Sequence, residues 1–482
     1  MRAWTGGAPA VHIGNVGDFN AQFAGGSPAV RRAGGHYACL AAFYSPHPRI
    51  LVLPRQIDDF WARELSRVLE WQDVAVYGAV AGEDGGVAEG LRSRPALLER
   101  IRRSGLQVIT WGRTPESERL FAGARPTAGT GPGSGSAPGS GASPGSGPDV
   151  GPDGFGRALR VTRRYESKAA AHQLFRTLAP AHPGIVVPAQ ERVTSRRGAA
   201  RALAARAAAG ATVVVKAEYG VGGHGTTVVT PGQVAESGGA RALARRLARG
   251  TVLIEEYVHG SGPLRNLTFD AVVDDGGAVH PVGVGVMDID GTNYQGVTVG
   301  PGAVPDAPAG VAERFATAVG RALAAEGYQG WYDVDFVMDR AGRLAPVEIN
   351  LRLTGPAVAF MIQARLARLR GGRPLVRTLD RLPLGARLPA AALAGHLGEV
   401  SRRCRALGVT LLPTVVTAAF EPDPSVGVAL AARTTGALDA AEAVVRSAND
   451  ALGGMFTDAG VSSGPPSGAA PRRTRGPRRR RS

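Results

Sequence analysis

Between Tyr332 and Arg352 the chain reads YDVDFVMDRAGRLAPVEINLR. Side chains on a strand alternate between its two faces, so Asp333 and Asp335 share one face of a first strand, and Glu348 and Asn350 share one face of a second. A turn around Arg340-Ala341-Gly342 folds the two strands together. Val334, Phe336, Val347 and Ile349 alternate with these polar residues, which makes the opposite side of the hairpin core. A sheet with one apolar face and one acidic face demands covering helices and antiparallel neighbours, an α+β arrangement. Three carboxylates and an amide oxygen on one patch repel one another when no cation is near. They are hard oxygen ligands, suited to Mg²⁺ bridging the oxygens of a triphosphate. Arg352 continues the face of Asn350 and can offer bidentate hydrogen bonds to a phosphoryl group.

A second constraint is the choice of cation. Of 56 Lys plus Arg residues only Lys168 and Lys216 are lysine. Lys216 ends the apolar run TVVVKA, directly before the glycine loop YGVGGHGTT. A loop without side chains lets its backbone N–H groups approach phosphates, and an ammonium group beside it acts as a compact point charge where a planar guanidinium does not fit. The loop is not a Walker A sequence, because no Gly-Lys-Ser/Thr follows, and it lacks G-x-G-x-x-G. Further on, VLIEEYVHG ends an apolar strand in Glu255-Glu256-Tyr257-Val258, whose backbone groups can read the edge of a base.

Residues 122–156 are almost all Gly, Pro, Ala, Ser and Thr, the composition of a disordered linker. They separate a first block, 1–121, from the rest. In that block the short apolar runs RILVLP, DVAVYG and LQVITW alternate with helical patterns, which predicts a small parallel α/β sheet. VHIGNVGDFN, with Gly14 and Gly17 after a probable strand, suits either an anion-binding turn or a plain structural one. Residues 157–395 form a second block, divided near 262. Residues 396–454 read as a small C-terminal α/β module, and 455–482 as a disordered Arg-rich tail. The last twelve residues hold seven arginines and no acid, a large share of the net charge of +16. The tail reads as solvated, and nucleic acid is not the expected partner. Two distant cysteines, Cys39 and Cys404, form no metal or redox motif, and no run reaches the ~18 apolar residues that span a bilayer. The expectation is a cytoplasmic protein with no membrane partner.

The order of these elements resembles the ATP-grasp superfamily, whose pattern is a helix-borne lysine, a lysine before a Gly-rich lid, an acidic strand end at the adenine, and paired strands carrying D-x12-E-x-N. Lys168 in YESKAAA, Lys216 with GVGGHG, IEEYV, and Asp335 with Glu348 and Asn350 match in turn. The resemblance implies an ATP-grasp domain at 157–395, with a lid subdomain at about 157–262 and a metal-binding core at about 263–395. It makes 1–121 the pre-ATP-grasp domain. It also implies that Lys168 and Lys216 bind the α- and β-phosphates, and that Gly220, Gly222, Gly223, His224 and Gly225 form the lid. Glu255 and the backbone of Glu256, Tyr257 and Val258 would meet adenine, while Asp335, Glu348 and Asn350 would hold two Mg²⁺ ions. Arg352 would steady the transferred phosphoryl. For the ribose, His259, Arg265 and Asn266 are candidates. The N-terminal block, EINLRLTGP and the segment PSVGVALAARTTGALDAAEAVV are similar to the pheganomycin-type peptide ligases of actinobacteria.

The expected chemistry is ATP-dependent amide formation through an acylphosphate, joining an amino acid carboxylate to the amine of a peptide or amino acid. The loop DIDGTNYQGVT, with Asp288 and Asn293, is a candidate for the acceptor side, and Arg265 and Asn266 for substrate contact. Two other readings compete: a phosphotransferase that stops at phosphorylation, and a noncatalytic nucleotide-binding or nucleic-acid-associated protein.

Overall fold

The computed structural model describes residues 2–24, 28–82, 85–121, 156–220, 225–247 and 250–458. The linker expected at 122–156 lies outside them except for Gly156, as do residues 459–482 of the tail and three of the lid residues, Gly222, Gly223 and His224. Sixteen strands form three sheets among the described residues. β1 (Ala10–Ile13), β2 (Pro48–Val52), β3 (Ala75–Tyr77) and β4 (Gln107–Thr110) pair in parallel in the order β3-β2-β1-β4. Every residue of β1 is buried, as parallel strands covered on both faces require. The helix Asp59–Leu69 follows β2 and packs against the strand Thr410–Val415 and the helix Gly355–Arg370. Asp58 caps it by accepting from the Phe60 N–H, and Trp61, Leu65 and Leu69, four residues apart, form its buried stripe.

Gly14 and Gly17 fill no anion loop. The Gly14 N–H donates to the Val52 carbonyl, and a Cβ on Gly14 would lie 2.9 Å from that of Ala38. A Cβ on Gly34 would lie 2.7 Å from the Gly17 Cα, so this pair lets the helices Val16–Ala24 and Pro28–Tyr37 touch backbone to backbone. Close packing accounts for these glycines.

The second sheet is antiparallel, formed by β5 (Gln190–Val193), β6 (Val213–Ala217), β7 (Thr226–Val229) and β8 (Val252–Glu256) in the order β5-β8-β6-β7. The helix Arg196–Ala208, capped by Ser195, buries Ala199, Ala202 and Leu203 against it.

The third sheet holds β9 (Asn266–Val273), β10 (Val279–Asp290), β11 (Asn293–Val299), β12 (Gly330–Met338), β13 (Leu344–Asn350), β14 (Leu375–Pro383), β15 (Thr410–Val415) and β16 (Ser425–Ala432). All its neighbours are antiparallel, in the order β13-β12-β9-β10-β11-β14-β16-β15. The strands of the 396–454 segment thus extend the large sheet. All eight residues of β16 are buried, and a strand apolar on both faces needs cover on both sides, which the large sheet and its helices supply. The helix Lys168–Leu178 packs against β13 and the helix Asp306–Ala325, with Phe175 on Phe315 at 5.9 Å. Lys168 is therefore mounted on the large sheet and Lys216 on the small one.

Gly34→Ala should lower stability by about 1–3 kcal/mol, because the added methyl forces apart backbones that the two glycines bring together. The thermal unfolding midpoint measures this.

Candidate functional site

Three adjacent strands of the large sheet, β9, β12 and β13, present a polar grid of two rows. In one row Asp333 lies opposite Asp270 on one side and Asn350 on the other; in the next, Asp335 lies between Thr268 and Glu348. Asp270, buried completely, is a member that the sequence reading missed. Its signal was present in the strand NLTFDAVV, where Thr268 and Asp270 alternate with apolar residues just as the hairpin acids do. The Asp270 carboxylate accepts from the Trp331 indole N–H at 2.8 Å.

Burial, followed by the repulsion of Asp333 and Glu348, pushes the Asp335 carboxyl well above the ordinary aspartate range. Burial likewise raises Asp270, where Asp333 adds to it, and moves Asp333 up to about 7. Burial also works against the Glu348 charge, but Lys168 outweighs it and the carboxyl lies below its usual value. The grid is short of positive charge.

The two lysines reach this grid from different elements. Lys168 Nζ donates to Glu348 Oε1 at 2.6 Å and to the Gly220 carbonyl at 3.2 Å. Lys216 Nζ donates to Glu255 Oε1 at 2.6 Å and to the Val347 carbonyl, next to Glu348, at 3.5 Å. Both lysines are buried.

The Glu255 side chain, expected at the adenine, is turned toward Lys216. Its carboxylate is buried between Lys216 and the Gln190 amide, which donates to it at 2.8 Å. Burial of β8 directs it inward. Glu256 is exposed, and its N–H donates to the Ala189 carbonyl. Arg265, a substrate and ribose candidate, is committed to the strand end instead: it donates to the Tyr257 hydroxyl and the Val258 carbonyl and lies over the Tyr257 ring. Asn266 opens β9 opposite Val337, and His259 sits edge-on to Tyr257. Gly225 has φ +83° and packs on Ala217, where its carbonyl accepts the Ala217 N–H.

Arg352 is buried and held by Glu166, which also accepts the Leu351 N–H at 2.8 Å. Arg352 therefore does not offer an unengaged guanidinium fork. Its Nε has no partner, and its guanidinium lies 5.4 Å from the Phe19 ring. Glu166 is a second residue the sequence reading missed, two positions before Lys168. The N-terminal block closes over this point: Leu353 N–H donates to the Trp111 carbonyl, and Asn15 bridges Trp111 and Gly112. Phe19 is followed by Phe23, which stacks on Tyr219 beside the glycine loop at 5.6 Å.

Asp288 and Asn293 are exposed. Asp288 lines a polar cavity of about 230 Å³ with Asp290, Gln295, Arg381 and Arg446, alongside Leu379. Leu382 completes the lining, at a point where the pairing of β14 with β16 shifts register between Leu379 and Leu382. Within the same loop it is Tyr294 that comes within electrostatic reach of Asp270 and Asp335.

The fit of the grid to a cation is visible in its lone pairs. The Asn350 amide donates to Asp333 at 2.7 Å and to Asp335 at 3.4 Å, while Asn350 Oδ1 and Asp335 Oδ1, both buried atoms, have no donor. Unpaired buried oxygens beside Glu348 are what hard-cation ligands require. Among the described residues no three His, Cys, Asp or Glu side chains converge on one point, so the donor set is two carboxylates and an amide.

Residues 173–391 match the family described as carbamoyl-phosphate synthase L chain, ATP binding domain. None of the curated proteins matches the chain in sequence. Among solved structures it is similar to N5-carboxyaminoimidazole synthase from Aspergillus clavatus, in complex with ADP and 5-aminoimidazole ribonucleotide. The identity is 12%, covering 94% of this chain and 100% of that one, with a TM-score of 0.52. An ADP complex of N5-carboxyaminoimidazole ribonucleotide synthetase is also similar, at 12% identity over 92% and 97% of the two chains, with a TM-score of 0.50. The chain has the α+β ATP-grasp fold that the order of its elements led us to expect.

Glu166→Ala leaves the Arg352 guanidinium buried without its counterion and should cost about 3–5 kcal/mol of stability, read from denaturant unfolding.

Proposed function

We propose that the protein is an ATP-dependent carboxylate–amine ligase that activates an amino acid carboxylate as an acylphosphate and transfers it to the amine of a peptide or amino acid. The observation that carries this reading is the meeting of the chain's two lysines at β13, one within 2.6 Å of Glu348 and the other against the Val347 carbonyl. Two ammonium groups from separate sheets, facing a grid of oxygen ligands, suit a nucleotide triphosphate lying between the sheets.

In this reading Lys168 and Lys216 bind the α- and β-phosphates, with Gly220 and Gly225 at the ends of the loop that covers them. Adenine lies at the strand end, Glu256 to Val258. Asp335, Glu348 and Asn350 hold Mg²⁺, two ions being the proposed number, which when bound supplies charge neutralisation for the phosphate oxygens. A carboxylate oxygen of the acid attacks the γ-phosphorus and ADP leaves; the amine nitrogen then attacks the acyl carbon, loses a proton, and inorganic phosphate departs. Neither step needs covalent help from the protein. Alignment and charge stabilisation suffice, and Arg352, fixed by Glu166, offers its Nε to the transferring phosphoryl group. The same site would serve the pheganomycin-type reaction, in which the acceptor is a peptide N-terminus.

Amino acids screened against short peptides with ATP and Mg²⁺ should release ADP only when acid and amine are both present, with a new amide detected by mass spectrometry. Release that needs no amine and leaves a stable phosphorylated product would sink the ligase in favour of a phosphotransferase. Lys216→Arg keeps the charge yet displaces a buried ammonium, and turnover should fall on the order of a hundredfold. Glu348→Ala should abolish Mg²⁺-dependent ATP turnover while near-UV circular dichroism stays native; retained turnover would rule out the assigned metal ligands.

A further inference from the structure

Beyond the acid grid, β14 carries another buried carboxylate, Asp380, on the same face as Thr378. No Lys, Arg or His among the described residues lies within ion-pair distance of it. Its partners are hydroxyl groups: the Tyr37 phenol donates to it, and the Thr378 hydroxyl lies against it. Tyr37 comes from the N-terminal block and meets Trp111 edge-on, and the buried Trp111 indole N–H has no acceptor. Tyr294 closes the group from β11, its hydroxyl 3.5 Å from Thr378 Oγ1.

The position of Tyr294 ties this group to the catalytic face. A Cβ on Gly355, three residues after Arg352, would lie 2.4 Å from the Tyr294 phenol oxygen, so the glycine makes room for the ring. The phenol feels Asp380 on one side and Asp270 and Asp335 on the other. Burial pushes the Asp380 carboxyl up to about 6, which leaves it mostly ionised at neutral pH. A buried carboxylate with no countercharge is costly, and the Tyr37 and Thr378 hydroxyls offset that cost only in part. The carboxylate has more acceptor positions than its hydroxyl donors fill, and an ammonium brings three donors.

We propose that Asp380, framed by Tyr37, Tyr294 and Thr378, recognises the protonated primary amine of the acyl acceptor, an inference that rests on the ligase reading above. The acceptor is held by its ammonium beside the grid where the acyl carbon is activated. Transfer of one proton from that ammonium to the Asp380 carboxylate frees the nitrogen lone pair for attack, and the departing phosphate takes the second proton as the neutral amide forms. An acylated amine lacks the charge, and a quaternary one the N–H donors, that the carboxylate selects.

The direct test is ligand-dependent thermal stabilisation of the full chain, with glycinamide as the ammonium probe and acetamide as its uncharged counterpart. Glycinamide, and not acetamide, should raise the unfolding midpoint of the wild type, and Asp380→Asn should remove that rise. Tyr294→Phe, which keeps the carboxylate and the ring, should increase the half-saturating glycinamide concentration several-fold. Equal stabilisation of wild type and Asp380→Asn, or none in either, overturns the amine site. The ligase reading is measured separately on the wild type, with hydroxylamine trapping the acylphosphate formed from ATP, Mg²⁺ and a pool of amino acids. No hydroxamate would sink that reading and leave the binding result to stand or fall alone. Where hydroxamate forms, the ratio of glycinamide product to hydroxamate should drop at least about tenfold in Asp380→Asn; an unchanged ratio also overturns the proposal.

Discussion

The structure around the large sheet depends on an imbalance of buried charge. The buried Asp270, Asp333, Glu166 and Glu255 and the half-buried Asp335 and Glu348 gather against three cations, Lys168, Lys216 and Arg352. Each cation already has a carboxylate partner, which leaves Asp270, Asp333 and Asp335 without one. Such an arrangement is costly in a low-dielectric setting, and the raised carboxyl pKa values of those three aspartates express the cost. A fold retains it because the strand ladder fixes the positions: Asp333 and Asp335 cannot separate from Asp270, Asn350 and Glu348 while β12 is paired on both sides. The rigid ladder keeps together carboxylates that would otherwise move apart.

The same imbalance explains how three sheets come to share one site. The large sheet supplies the oxygen grid and, through the helix Lys168–Leu178, one ammonium. The small sheet supplies the other ammonium on β6, and the N-terminal block supplies Phe19, Trp111 and Tyr37 around Arg352 and Asp380. Each contribution is short in sequence and long in separation. Trp61 illustrates the glue: on a helix of the N-terminal block, it donates to the carbonyl of Pro413 in β15, at the far edge of the large sheet. A parallel domain and an antiparallel one are thereby locked together through buried contacts.

What the sequence disclosed follows period and spacing. The hairpin of β12 and β13 was readable because acids alternate with apolar residues on both strands, and the two lysines stood out against 54 arginines. What it hid was pairing between distant segments. Asp270 lies in a strand whose alternation is equally clear, yet only its register against Asp333 makes it a member of the grid. Glu166 gave no sign of its bond to Arg352, 186 residues away. Glu255 is placed at the base by the resemblance alone, and its burial against Lys216 is a matter of how β8 and β6 pair. Gly14 and Gly17 read as loop glycines, while helix packing explains them. Residues that act within one hairpin are legible, and residues that act across sheets are not.

The preference for ammonium at two positions now has a geometric basis. Lys168 donates in one direction to Glu348 and in another to the Gly220 carbonyl; Lys216 donates to Glu255 and to the Val347 carbonyl. Each pair of acceptors comes from different elements, so the donors must diverge from one small centre. An ammonium has three donors around a single atom, which serve acceptors in different directions. A guanidinium directs its donors outward in one plane over a wider span, which suits Arg352, gripped by Glu166 on one edge with its Nε left over. The division of labour between the two kinds of cation is therefore set by how many directions each must serve at once. In a chain that otherwise uses arginine throughout, the two exceptions fall where donors must diverge.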